Sequence, residues 1–149
     1  MSPTSPPSPT GTIVPLAGVL ATRSLQDRDV SYRITEDWGQ GRATFGGLLA
    51  ALAADAMRAA AGAAWGPEVK LTALQTSFVG PVAPGEATLQ VRVLREGKNV
   101  RQVQATLVQR DADQGEQVGA VFLGGFLSAE TSPSTDLNKV NANNGFVQG

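Results

Sequence analysis

One apolar segment, Leu48 to Ala61, dominates this sequence, and almost everything after it reads as strand. Its leucines and alanines recur at the spacing of a broad helix face, which predicts a helix from about Gly46 to Ala61. Asp55 and Arg58 are the only charged residues in it. A helix this apolar needs other structure on most of its sides, and the strands that follow can provide it.

The strand segments show the alternation of apolar and polar residues that is typical of half-buried strands. One precedes the helix and four follow it: Val30 to Thr35, Val69 to Val79, Ala87 to Arg95, Val100 to Gln109 and Gln117 to Leu127. The last is apolar on both faces, as expected for a strand covered on both sides. Short turns join the later strands, so we predict an α+β fold with the helix lying across an antiparallel sheet.

The ends of the chain differ from its centre in composition. Residues 1–15 are rich in proline and serine, and residues 128–149 are polar and without periodicity. We therefore predict a disordered arm over 1–15, a single domain over 16–127 and a flexible tail over 128–149. The sequence has no apolar run of about 18 residues and no secretory signal, so we expect a cytoplasmic protein that does not bind membranes.

Missing residue types restrict the chemistry. The chain has no histidine and no cysteine, which removes histidine-based triads, cysteine nucleophiles and the usual transition-metal ligands, and we expect no metal site. A net charge of −1 does not suit binding to nucleic acid. Any catalysis must use carboxylates, amides, hydroxyls and backbone dipoles.

The start of the predicted helix carries a pair of glycines, Gly46 and Gly47. The first N–H groups of a helix have no partner within it, and residues without Cβ let another group approach them closely. Such a junction can hold an anion, or an oxygen that becomes negative during a reaction. Alternatively, the glycines serve only to pack the helix against a sheet.

Several segments resemble a known family. Phe45-Gly46-Gly47 looks like the start of the central helix in hotdog-fold thioesterases. Two further segments, Leu74 to Gly85 and Val93 to Asn99, resemble a strand with its turn and a hairpin of the acyl-CoA thioesterase II family. The resemblance extends from about Trp38 to Phe126, and it implies a hotdog fold, a curved antiparallel sheet wrapped around one long central helix.

The resemblance also implies an activity, the hydrolysis of acyl-CoA to a free fatty acid and coenzyme A, as in fatty acid metabolism. Coenzyme A would be part of the substrate, and we expect no other cofactor. Hotdog active sites lie between two units, which implies a homodimer or homotetramer. The chain resembles only the N-terminal unit of a family whose members usually have two units. Most catalytic residues of those enzymes lie in the second unit.

The resemblance suggests roles for individual residues. Backbone N–H groups of Gly46 and Gly47 would stabilise the oxyanion, and Asp55 would activate water unless it forms an ion pair with Arg58 on the helix surface. In single-unit relatives the acid falls seven residues after the second glycine, whereas Asp55 falls eight after Gly47. Gln75 and Thr76 would orient water or bind the pantetheine arm. Because strand neighbours point to opposite sides, either Gln75 and Ser77 or Thr76 would face inward.

A basic hairpin completes the predicted site. Arg95, Lys98, Asn99 and Arg101 would contact the phosphates of coenzyme A, although such a cluster can also be a solvated edge. A second hypothesis is a protein that binds acyl thioesters without hydrolysing them, or a degenerate partner subunit. A dehydratase on the same fold ranks last, since those enzymes generally use a histidine.

Overall fold

A computed structural model describes residues 15–40 and 43–128. The predicted arm and tail therefore lie outside the described residues, apart from Pro15 and Ser128. Pro15 precedes the first helix, and Ser128 ends the last strand.

Two α-helices, one short 3₁₀ helix and eight strands make up the described chain. In order they are α1 (Leu16–Leu20), β1 (Ser24–Gln26), β2 (Asp29–Ile34), the 3₁₀ helix (Glu36–Trp38), β3 (Gly39–Gln40), β4 (Ala43–Thr44), α2 (Gly46–Ala60), β5 (Val69–Phe78), β6 (Gly85–Glu96), β7 (Val100–Asp111) and β8 (Gly115–Ser128). The predicted helix and the five predicted strands are all present. The sequence did not reveal α1, β1, the 3₁₀ helix or the small β3–β4 pair.

Six strands form one antiparallel sheet in the order β1-β2-β6-β7-β8-β5, and β3 pairs with β4. Tight hairpins join β6 to β7 and β7 to β8, as the turn residues predicted. The strand that follows α2 along the chain, β5, pairs only with β8 and lies at one edge of the sheet. The prediction of an antiparallel sheet with one helix packed on it is confirmed.

The core lies between α2 and one face of the sheet, here called the inner face. Six residues of α2 are buried: Leu48, Leu49, Leu52, Ala53, Ala56 and Met57. They pack against inward side chains such as Tyr32, Leu89, Leu107 and Phe122, each at most 1% exposed. The helix reaches β2, β5, β6, β7 and β8, so one element buries the inner face of nearly the whole sheet.

The N-terminal segment closes one side of this core. Val19 of α1 is fully buried with the α2 and β2 side chains. Thr22 then caps the segment, because its Oγ1 donates to the Val19 carbonyl and accepts from the Arg33 N–H at 2.9 Å. The buried Val19 side chain and the hydrogen bond from the Arg33 N–H to Thr22 thus attach the α1 segment to β2.

The opposite face of the sheet, here called the outer face, is not covered by any described element. The side chains of β8 on that face are apolar: Val121 and Leu123 are half-buried, and Val118 and Leu127 are 41% and 42% exposed. The prediction that β8 is covered on both sides is therefore met on the inner side only, within the residues the structure describes.

Candidate functional site

Gly46 and Gly47 are the first two residues of α2, as predicted. Phe45 occupies the N-cap position and offers no side-chain cap. Within residues 15–40 and 43–128, no residue accepts a hydrogen bond from the Gly46 and Gly47 N–H groups. The preceding residues are fixed: Thr44 N–H donates to the Val82 carbonyl at 2.9 Å, and Phe45 N–H donates to the Trp38 carbonyl at 2.8 Å.

Two aromatic rings lie against this helix tip, the name used here for Gly46 and Gly47. A Cβ added to Gly46 would lie 2.9 Å from Cζ of Phe78, and one added to Gly47 would lie 2.5 Å from Cε2 of Phe45. The rings themselves are 60% and 44% exposed, for Phe78 and Phe45. They form an apolar rim beside the tip, and the glycines allow this close approach.

Of the two predicted polar residues of β5, only Thr76 lies on the helix side of the sheet. Its cross-strand partner is the fully buried Phe122, and Thr76 is itself half-buried, two residues before Phe78. Gln75 pairs with Leu123 on the outer face and is exposed. The structure thus resolves the alternative left open by the sequence in favour of Thr76, and Gln75 is not brought to the helix tip of its own chain.

Asp55 lies about 13 Å along α2 from Gly46. Its carboxylate accepts hydrogen bonds from Nη1 of Arg23, at 3.1 and 3.0 Å, and from the hydroxyl of Tyr32 at 2.6 Å. The alternative pairing with Arg58 is wrong, because the Arg58 guanidinium donates instead to the carbonyls of Val69, Trp65 and Gly66. The catalytic role of Asp55 stays a prediction, and in this chain its carboxylate ties α2 to β2 and to the segment after α1.

Tyr32 shows the electrostatic effect of this arrangement. Burial raises the pKa of the Tyr32 phenol well above its ordinary value, and the hydrogen bond to the Asp55 carboxylate raises it further. The phenol therefore stays protonated and donates to Asp55 across the physiological range.

The predicted coenzyme A contacts lie at the opposite end of α2 from the tip. Lys98 and Asn99 are exposed in the β6–β7 hairpin, and Arg95 is exposed beside it. Arg101 faces inward, with Cζ 5.2 Å from the ring centroid of Trp65, which follows α2. Within one chain, this hairpin therefore lies about 22 Å from the helix tip, roughly the length of α2.

Sequence reasoning missed the cluster around Trp65. Its ring packs edge-on against Phe126 with the ring centroids 5.0 Å apart, and its Nε1 donates to Glu96. The guanidinium carbons of Arg58 and Arg101 lie 5.7 and 5.2 Å from its centroid. The Arg101 Nε atom is buried without a hydrogen-bond partner, 3.9 Å from a Glu96 carboxylate oxygen. The one sequence feature that indicated this cluster was a tryptophan just after the helix, but the residues that contact Trp65 are distant from it in the sequence.

Two carboxylates near the tip were also missed. Glu36 and Asp37 lie in the 3₁₀ helix whose last residue, Trp38, accepts the hydrogen bond from Phe45 N–H. Thr35 donates to the Asp37 carboxylate. The hydrogen bond between Trp38 and Phe45 joins their segment to the residue before the helix tip, which the sequence alone does not show. Within 15–40 and 43–128, no group of three or more acidic side chains is arranged to hold a metal ion.

The sequence profile described as the acyl-CoA thioesterase N-terminal domain matches residues 34–129, which begin at the last residue of β2 and include all of β8. The chain belongs to this family. A search of curated proteins finds no match to this thioesterase-family domain. No helix among its described residues has the length and the apolar run needed to cross a bilayer.

Solved structures with similar folds include the BH2602 protein of Bacillus halodurans with CoA, with 20% identity and a TM-score of 0.56 over 66% of this chain and 65% of that one. The PaaI protein of the E. coli phenylacetic acid degradation operon has 23% identity and a TM-score of 0.59, over 70% and 73% of the two chains. A candidate thioesterase II from Thermobifida fusca has 18% identity and a TM-score of 0.64. This likeness covers 77% of the present chain and 40% of the Thermobifida fusca chain. At these identities the likeness shows the hotdog fold.

Proposed function

We propose that this thioesterase-family domain hydrolyses acyl-CoA thioesters to the free acid and coenzyme A. The observation that supports the proposal best is the helix tip, where two N–H groups without a described acceptor meet an apolar rim in a domain of this family. In this proposal α2 is the central helix of the hotdog fold, and its contacts with five strands support that role.

The N–H groups of Gly46 and Gly47 would donate to the thioester carbonyl oxygen as it becomes an oxyanion. Losing one such donor typically costs about 3 kcal/mol of barrier. Water adds to the carbonyl carbon and gives its proton to a base. The tetrahedral intermediate then collapses, the C–S bond breaks, and the coenzyme A thiolate takes up a proton. The half-buried Thr76, on the same side of the sheet, would orient the water or the pantetheine amide.

The base is to be found among three carboxylates. Asp55 was the candidate from the sequence. Because it lies about 13 Å along α2 from Gly46, it could activate water in its own chain only for a substrate that extends along the helix. Glu36 and Asp37 directly precede Trp38, whose carbonyl accepts the hydrogen bond from the Phe45 N–H beside the tip. Replacing the true base by its amide should lower turnover at least about 100-fold. We therefore propose measuring D55N, E36Q and D37N side by side.

A homodimer would bring the tip and the basic hairpin together. β5 is an exposed edge strand with apolar side chains at Leu71 and Phe78, and such edges pair readily with another strand. If two copies pair through β5 in antiparallel fashion, the Val69 end of one strand lies beside the Phe78 end of the other. The hairpin of one copy then lies at the same end as the helix tip of the other, where Lys98 and Asn99 of the hairpin turn would contact the coenzyme A phosphates.

The test is turnover of an acyl-CoA panel by the full chain, followed with a thiol reagent. The chain has no cysteine, so every thiol detected is product. Hydrolysis of at least one chain length is expected, and a folded protein that hydrolyses none contradicts the proposal.

Gly46→Pro tests the oxyanion role directly. Proline removes one N–H donor, is tolerated in the first turn of a helix, and suits the extended conformation of Phe45 before it. Gly46→Ala is the matched control, since it adds the same Cβ beside the exposed Phe78 ring and keeps the N–H. We expect turnover of G46P to fall about 100-fold below that of G46A. Equal rates would show that this N–H does not act.

A non-catalytic acyl-thioester binder is the second candidate. The engagement of Asp55 by Arg23 and Tyr32 favours it, because both oxygens of this carboxylate already accept hydrogen bonds from other side chains of the chain. Binding of a non-hydrolysable acyl-CoA analogue without turnover of the thioester would support this candidate over the first.

A further inference from the structure

One backbone carbonyl in the loop between β5 and β6, residues 79–84, holds the segment that leads into α2. Thr44, the last residue of β4, donates twice to the Val82 carbonyl, from its N–H at 2.9 Å and from its Oγ1 at 2.7 Å. Thr44 is 6% exposed, so little water reaches these two hydrogen bonds. The helix tip begins two residues later, after Phe45. The position of Val82 therefore bears directly on the position of the tip.

The first turn of α2 has little of its own to fix its direction. Phe45 offers no side-chain cap, and the two glycines of the tip are the least restricted of all residues. The segment before the tip is held by the two bonds from Thr44 to Val82 and by the bond from the Phe45 N–H to the Trp38 carbonyl. We therefore expect the direction of the tip N–H groups to depend on the residues that hold Val82.

A side chain of β7 holds the loop at the residue after Val82. The Gln109 amide forms a closed pair of hydrogen bonds with the Ala83 backbone: Oε1 accepts from the N–H at 2.9 Å, and Nε2 donates to the carbonyl at 2.8 Å. Nε2 also donates to the Glu86 carbonyl at 3.2 Å. One side chain thus fixes the loop at both ends of its last turn, although it has no hydrogen bond to the segment before α2.

Gly119 of β8 holds the same loop from another side. Its carbonyl accepts from the N–H groups of Val79 and Gly80, at 2.8 and 3.1 Å. Gly119 is the extra residue of a β-bulge between β7 and β8. A Cβ added to it would lie 2.5 Å from Cγ2 of Val82, which is 1% exposed. A side chain at this position would therefore push Val82 away from β8.

We propose that Thr44, Gln109 and Gly119 are positioning residues for the helix tip, and that all three act through the Val82 carbonyl. Gln109 and Gly119 fix the loop, the loop presents the carbonyl, and the carbonyl fixes Thr44. The inference rests on the proposed function, in which the tip N–H groups donate to the thioester oxygen. Such donors act only when they are already in place, and a misplacement of about 1 Å can cost on the order of 100-fold in rate.

Thr44→Val tests the hydroxyl in the full chain, because valine keeps the shape of the side chain and the backbone N–H. We expect kcat on an acyl-CoA substrate to fall about tenfold and KM to stay within about twofold, since the donors act on the transition state. Thr44→Ser restores a hydroxyl and should recover most of the rate. Thr88→Val is the matched control. It removes the hydrogen bond to Ser31, 2.8 Å long, and should leave kcat unchanged.

Gln109→Met and Gly119→Ala test the loop from the side remote from the tip. Each should lower kcat about tenfold with little change in KM, whereas Gly125→Ala, in the same strand as Gly119 but with open space around its Cβ, should not. The double variant T44V/Q109M should lose much less than the product of the two single losses, because both act through one carbonyl. Losses that simply multiply would overturn this part of the proposal.

The amide NMR signals of Gly46 and Gly47 give a readout that needs no turnover. They should shift in Q109M and G119A, and they should stay in place in T88V and G125A. If the wild type hydrolyses no acyl-CoA, the proposed function fails, and these shifts still decide whether the loop positions the tip. If the wild type is active while Q109M and G119A leave both the signals and kcat unchanged, the positioning role alone is wrong.

Discussion

Tyr32 and Asp55 join β2 to the middle of α2 through one short hydrogen bond, 2.6 Å from the phenol oxygen to a carboxylate oxygen. Tyr32 is 1% exposed, so its hydroxyl has no water to replace this acceptor. Arg23 holds the same carboxylate from the segment after α1, at 3.0 Å. A single carboxylate thus connects three elements that are distant in the sequence.

Tyr32→Phe should reduce the free energy of unfolding by about 2 kcal/mol, the usual value of a hydrogen bond to a charged group. Phenylalanine keeps the ring packing, so the change isolates the hydroxyl. Urea unfolding followed by circular dichroism measures this loss. Arg23→Gln serves as a comparison, because it removes the charge of the more exposed partner of the same Asp55 carboxylate. A loss below about 0.5 kcal/mol for Y32F would contradict the assigned hydrogen bond.

The pH dependence of stability should also depend on Tyr32. Its pKa is raised in the folded state, so above pH about 10 the unfolded chain releases the phenol proton while the folded chain keeps it. Unfolding then becomes more favourable as pH rises. The wild type should lose stability above pH 10 more steeply than Y32F. Tyr32 is the only tyrosine, so tyrosinate absorbance of the native protein should also appear well above pH 10. Ordinary titration near pH 10 would be the contrary result.

At the scale of elements, α2 and β8 approach each other closely because β8 has a glycine where the helix crosses it. A Cβ on Gly124 would lie 2.6 Å from the Sδ atom of Met57, which is fully buried, and 3.4 Å from Cδ1 of Leu71. The neighbouring Gly125 has nothing within 4 Å of its added Cβ. One glycine of the pair is therefore required by helix packing and the other is not.

Gly124→Ala should destabilise the fold by about 1–3 kcal/mol, because an extra methyl group in a filled core forces side chains or backbone to shift. Gly125→Ala, one residue away in the same strand, should change stability by less than about 0.5 kcal/mol. Thermal or urea unfolding of the two variants gives the comparison. Equal effects would mean that Met57 moves aside freely.

At the scale of the whole molecule, the described part of the sheet ends in one long edge strand, β5. β5 has ten residues, and Lys70 is the only charged residue among them. Natural sheets usually protect such an edge with charges, proline or covering structure, whereas β5 has Lys70 as its one charge, no proline, and no strand paired to its free edge among the described residues. The edge is therefore suited to pairing with another strand.

Single cysteines on β5 should trap the dimer that we propose. Two copies related by a two-fold axis place a central residue of one strand close to the same residue of the other, within reach of a disulfide. At least one of Ala73→Cys, Gln75→Cys and Ser77→Cys should give a covalent dimer on oxidation, read on a non-reducing gel. Monomer at all three positions would argue against β5 as the pairing edge, and Arg28→Cys, in the turn between β1 and β2 at the sheet edge remote from β5, serves as the control.

The sequence by itself determined the order of the main elements and the position of the glycine pair at the start of α2. These are local properties: the helix spacing from Leu48 onward, the alternation along β6, and the turn residues near Gly97 each follow from neighbours in the chain. Resemblance added the hotdog fold, which the family match supports.

Only the tertiary structure decided which side chains meet. Asp55 looked like an isolated acid in the sequence, and its partners Arg23 and Tyr32 come from segments 32 and 23 residues away. Thr76 and Gln75 were equivalent until the pairing with β8 fixed which of them faces α2. The reason is physical: helix and strand periods depend on residues a few positions apart, whereas partners, burial and the charge pattern of a sheet face depend on how distant segments pack.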